Sequence, residues 1–94
     1  MRDQRLDRLA KILVEYSTSV KAGELVMLWG EPCAMPLLEA IYEKLIKTGA
    51  NVVFQCRPDA FDEIFLRNAN EEQLKFLSPI EEFTVEQVDV RLGI

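Results

Sequence analysis

From Asp3 onward the apolar positions Leu6, Leu9, Ala10, Ile12, Leu13 and Tyr16 recur at three- and four-residue spacing. That period marks one stripe of an amphipathic helix running to about Ser19. The opposite face carries Arg2, Arg5, Arg8 and Lys11 with Asp3, Asp7 and Glu15 between them. Acids interrupt this basic stripe and no aromatic stacking partners accompany it, so it reads as a solvated face rather than a nucleic-acid surface. Lys21-Ala22-Gly23-Glu24 is a polar turn, and Leu25 to Trp29 is an unbroken apolar run, the pattern of a parallel strand covered on both faces. Gly30-Glu31-Pro32 ends that strand. Pro36 lacks an amide hydrogen and belongs in a first helical turn, so a second helix is expected to start between Pro32 and Pro36. It turns Leu37, Leu38, Ile41, Tyr42, Leu45 and Ile46 inward and closes at Gly49.

Asn51 to Arg57 supplies a second strand around Val52-Val53-Phe54, reached through a helical connection for which a right-handed crossover is the expected geometry. Beyond Pro58, Asp59 can cap a third helix whose Phe61, Ile64, Phe65 and Leu66 are expected to face the sheet. Asn70 with Gln73, and Ser78 with Glu81, both fit the capping-box spacing, the second reinforced by Pro79. They predict two short helices, about 71–77 and 79–87, the latter turning Ile80 and Phe83 inward. Val88, Val90, Leu92 and Ile94 then alternate with Asp89, Arg91 and Gly93, the period of a strand with one apolar face. The predicted fold class is α/β: three layers around a small parallel sheet, in the order helix, strand, helix, strand, helices, strand.

Composition narrows the functions this plan can serve. Ninety-four residues make one domain, and 49% apolar with 29% charged residues is an ordinary globular balance. Charge is unevenly spread: residues 1–49 hold seven of each sign, residues 50–94 four basic and nine acidic, for a net −5. Such a surface disfavours phosphate backbones and anionic membranes, so neither nucleic acid nor membrane is expected as a partner. The charged opening residues do not form a signal peptide, no apolar stretch is long enough to span a bilayer, and a cytoplasmic location is expected. The chain has no histidine. That excludes a serine-histidine triad, an HExxH zinc helix and any imidazole proton shuttle built from these residues alone.

Open parallel sheets bind ligands at the carboxyl ends of their strands, here Trp29 to Cys33, Cys56 to Asp59 and the residues around Gly93. Only Gly30 follows the first strand, and Glu31 beside it repels phosphate, which argues against a nucleotide. Cys33 near a helix start and Cys56 near a strand end could form a redox pair, but without CxxC spacing the expectation is two buried, reduced thiols. Glu71-Glu72 and Glu81-Glu82 point in different directions from a helix. Asp59, Asp62 and Glu63 could share a face, yet a helix cap and a solvated surface explain them without a metal. Trp29 is expected in the core or at an interface.

The run Leu6-Asp7-Arg8-Leu9-Ala10-Lys11-Ile12-Leu13-Val14-Glu15-Tyr16-Ser17, followed by Val20-Lys21-Ala22-Gly23-Glu24, resembles the N-terminal opening of the thermophilic metallo-aminopeptidases of the aminopeptidase T and aminopeptidase S type. The likeness continues through Gly30, Pro36-Leu37, Ala40, Tyr42, Gly49-Ala50 and the last strand. The resemblance implies a cytoplasmic, homo-oligomeric peptidase acting on peptide N-termini, with two divalent metal ions, zinc, cobalt or magnesium, activating a water. In that family the metal ligands, histidines among them, lie in a separate C-terminal domain to which nothing here corresponds. No catalytic, cofactor-binding or metal-binding residue is therefore assigned to this chain. Residues 1–94 are expected to be a single α/β domain or the N-terminal fragment of a larger enzyme, inactive alone. The alternative is a stand-alone protein-interaction or oligomerisation module.

Overall fold

A computed structural model describes residues 3–94 and places a three-stranded parallel sheet at the centre of the chain. The elements are α1 (Gln4–Lys11), a π-helical continuation (Ile12–Ser17), β1 (Leu25–Gly30), a 3-10 turn (Pro32–Ala34), α2 (Met35–Thr48), β2 (Asn51–Cys56), α3 (Asp59–Asn68), α4 (Glu71–Lys75), α5 (Pro79–Gln87) and β3 (Val90–Gly93). The strand order is β2-β1-β3, with Met27 level with Val53 on one side and Arg91 on the other, and Trp29 level with Gln55 and Gly93. This is the α/β arrangement that the hydrophobic pattern predicts.

Strand β1 is central, and its residues feed two different faces. Val26 and Leu28 point to α2, where Leu38, Ile41 and Leu45 close over them; all five are at most 1% exposed. Leu92 and Val90 of β3 and Val52 of β2 join the same face. Beyond the regular pairing, Asp89 anchors the start of β1: its amide donates to the Leu25 carbonyl at 2.8 Å and its carboxylate accepts from the Leu25 amide at 2.8 Å. Gly49 ends α2 at φ 94, and its amide donates to the Ile46 carbonyl, as a left-handed C-cap does.

The first helix departs from its expected stripe. Asp3 caps it, accepting from the Arg5 amide at 2.8 Å, but from Ile12 the chain widens into π-helical turns. A wider turn advances each residue by a smaller angle, so the inward face drifts. Ala10 and Val14 reach the core, whereas Leu9, Ile12 and Tyr16, expected on the buried stripe, are exposed, Tyr16 at 73%. The widened segment is tied to α2 by a Glu15–Lys44 ion pair at 3.2 Å. Arg2, the first residue of the basic stripe, lies outside the described residues.

The second face of the sheet is covered sparingly. The expectation that Phe61, Ile64, Phe65 and Leu66 of α3 and Ile80 and Phe83 of α5 turn inward is not met: all six are exposed, Ile80 at 77%. Geometry supplies the reason. Three strands about 4.8 Å apart offer a face roughly one helix wide, and a helix with its side chains is about 10–12 Å across. Helix α5 faces Met27 and Trp29 across a cleft, leaving no width on this sheet for α3 and α4. The radius of gyration, 15.3 Å, exceeds the value of about 12 Å expected for a compact chain of this length.

Helix starts in this region follow local chemistry. Asn70 and Gln73 form a complete capping box, with reciprocal bonds of 2.8 and 3.0 Å, and the Ser78 hydroxyl accepts from the Glu81 amide at 3.4 Å. Asp59 does not cap α3. Pro58 holds the cap position, and Asp59 is the first helical residue, where its charge complements the helix dipole.

Candidate functional site

Parallel pairing brings the carboxyl ends of β1, β2 and β3 together at one end of the sheet, and the residues singled out there fall into three groups. The first is acidic. Glu31 follows β1, and Asp59 and Asp62 open α3. Glu31 Oε1 is shut off from solvent with no hydrogen-bond donor. The Asp59 side chain beside it, then partial burial and the negative charges of Asp59 and Asp62, push the Glu31 carboxyl above its ordinary value. A proton on Glu31 turns two repelling carboxylates into a hydrogen-bonded pair.

The second group is the two cysteines. Both are free, as expected, but neither is buried. Cys33 lies in the 3-10 turn on the surface, and Cys56 is the last residue of an edge strand, in a shallow cleft with Pro58, Phe61 and Asp62. The expectation of burial fails because Cys33 sits in a surface turn and Cys56 ends an edge strand that α3 covers sparingly.

The third group was not apparent from sequence. On the face toward α5, Trp29 and Met27 floor a cleft of about 230 Å³. The indole lies flat across Gly93: a Cβ built there would sit 2.5 Å from Trp29 Cζ2 and 2.6 Å from Cε2, so only glycine leaves room for the ring. The Arg57 guanidinium stands 5.5 Å from the indole centroid, within cation–π range. It is steadied by Gln55, whose Oε1 accepts from Arg57 Nη2 at 3.0 Å and from Nε at 3.3 Å. Arg91 reaches the cleft from β3, while Glu81, Thr84 and Val85 of α5 form the opposite wall. The sequence offers only the lone tryptophan in an apolar run; its alignment with Gly93 on the neighbouring strand comes from the pairing register.

The divalent metal ions implied by the family resemblance do not fit these residues. Among the described residues no three histidine, cysteine, aspartate or glutamate side chains converge, so the several donors that a divalent cation needs are not gathered at one point. No helix among the described residues is long and apolar enough to cross a membrane.

A family model described as thermophilic metalloprotease (M29) matches residues 2–94. Among solved structures, wild-type AmpT from Thermus thermophilus is similar over 96% of this chain, with a TM-score of 0.67 at 18% identity. At that identity the likeness is one of fold. The chain spans 24% of the length of that protein. No curated protein matches the sequence.

Proposed function

The chain belongs to the thermophilic metalloprotease family M29, and from that premise we propose that it is the N-terminal, non-catalytic portion of a metal-dependent aminopeptidase. The observation that carries this reading is the family match across residues 2–94 of a chain without histidine. A peptidase of this class needs a metal-activated water, and the donors for it belong to residues outside these 94. The domain supplies a scaffold: a rigid β1–α2 core that presents the carboxyl ends of three strands at one end of the sheet. Peptide substrates, a pair of divalent metal ions, homo-oligomeric assembly and a cytoplasmic location are parts of the same reading and are properties of the whole enzyme.

The test is hydrolysis of aminoacyl-nitroanilides by the purified 94-residue chain with added cobalt or zinc. No metal-stimulated release is expected. Turnover that rises with metal and is abolished by chelation would place a working site within these residues and overturn the reading. The exposed apolar surface of α3–α5 favours, as a second reading, an interaction module; a reading frame with a stop codon directly after Ile94 would support it over the first.

A further inference from the structure

The cleft between the sheet and α5 concentrates positive charge in an acidic neighbourhood. From Asp59 to Gln87 the chain has eight acidic residues and only Arg67 and Lys75 as cations, and Arg67 is paired with Glu63. Arg57 and Arg91 both line the cleft, and neither guanidinium makes an ion pair with a described residue. Among the described residues the Arg57 guanidinium hydrogen-bonds only to the neutral Gln55, and it stacks on Trp29. Glu81 faces the two arginines from α5 and is the one carboxylate in the cleft lining, while Asp62 of α3 lies in the adjoining cleft that Arg57 and Glu81 also line. The floor is apolar and preset: Gly93 fixes where the indole lies, and Met27 extends the surface beside it.

We propose that this cleft binds a free α-amino acid with an aromatic or large apolar side chain. Its carboxylate meets Arg57 and Arg91, its side chain lies on Trp29 and Met27, and its ammonium group turns toward Glu81. Two guanidiniums and one opposed carboxylate match a zwitterion better than a polyanion, since Glu81 would repel a second phosphate charge. The apolar floor needs a ligand with an apolar body. At about 230 Å³ the cleft is smaller than the ~300–1,000 Å³ typical of drug-sized ligands, which restricts it to something near the size of one amino acid. The inference uses only residues of this chain and stands whether or not the whole protein is a peptidase.

Trp29 is the only tryptophan, so its fluorescence and its indole N–H resonance report directly on the cleft. Titration of the 94-residue chain with L-phenylalanine is expected to give a saturable change in both, with a Kd on the order of 1 mM for so open a site. Phenethylamine, which lacks the carboxylate, is expected to leave both signals unchanged. Arg57→Gln and Arg91→Gln should each weaken phenylalanine binding about tenfold, as loss of a charge-assisted hydrogen bond does. Arg8→Gln, on α1, should leave it unaltered. Both cleft arginines are exposed, so the variants are expected to stay folded, which far-UV circular dichroism checks. Absence of a saturable signal, equal binding of phenethylamine, or unchanged affinity in either cleft variant overturns the proposal.

Discussion

Leu28 and Phe83 are both large apolar residues of one small chain, yet Leu28 is fully buried beneath α2 while Phe83 is 64% exposed on α5. The difference extends to their whole neighbourhoods. Around Leu28, two strands and α2 enclose side chains on every side, and the widened end of α1 adds Val14. Around Phe83, three short helices are held by caps and backbone hydrogen bonds, and none of their residues is buried. Local helix chemistry is equally sound in the two regions; what separates them is whether a second surface exists to receive the apolar face. A helix owes most of its stability in a protein to that packing rather than to its own propensity.

The sharpest way to break this contrast is a pair of truncations. Leu28→Ala removes a fully buried side chain at the centre of the sheet and is expected to cost about 2–5 kcal/mol, a large share of the stability of a domain this size. Phe83→Ala removes a larger side chain, yet is expected to change stability by less than about 0.5 kcal/mol, because little of it is buried. Urea denaturation of both variants measures the difference. Comparable losses would mean that α5 is packed in solution and that the two regions are energetically alike.

The same contrast shows which parts of the molecule are legible from sequence. The parallel strands, α2 with its Gly49 cap and the Asn70–Gln73 box follow from features within a few residues of each other, where period and capping chemistry decide the outcome. Val14 was missed because the π-helical widening after Lys11 is not written in the apolar spacing, which fits a regular helix equally well. The inward orientation assigned to Phe61, Phe65 and Ile80 failed for another reason. Periodicity tells that a face is apolar, but not whether the sheet beneath it is wide enough to cover it. The cleft at Trp29 was invisible because it depends on the alignment of Trp29 with Gly93 across two strands 64 residues apart, and long-range register has no local signature.

A smaller effect sharpens the comparison further. Asn70→Ala removes the capping box of α4 and is expected to destabilise that helix by about 1 kcal/mol. If α3–α5 open independently of the core, the loss appears as faster hydrogen exchange at the amides of α4, with no shift in the urea midpoint of the whole chain. A midpoint shift matching the local loss would show that the capped helices and the β1–α2 core unfold as one unit.

The smallest expected effect lies at the joint between the two regions. Glu31 follows β1 in the packed half, and Asp59 opens α3 in the loose half. The contact with Asp59, with burial and the charge of Asp62, raises Glu31 above its ordinary value in the folded chain. A carboxyl whose folded-state value is raised binds its proton more tightly folded than unfolded. Its contribution is therefore full below the unfolded value of 4.5 and is lost as pH rises through the higher folded value. Asp3 runs the opposite way: the hydrogen bond from Arg5 lowers it, so its contribution is present above its unfolded value of 3.8 and lost as pH falls. As pH rises above the unfolded value of 4.5, the wild-type melting temperature should carry a small decline due to Glu31 that Glu31→Gln abolishes, since the amide keeps a donor for Asp59 at every pH. An unchanged pH profile in Glu31→Gln would mean that α3 moves away from β1 as soon as both carboxyls ionise, and that the loose half begins at Pro58.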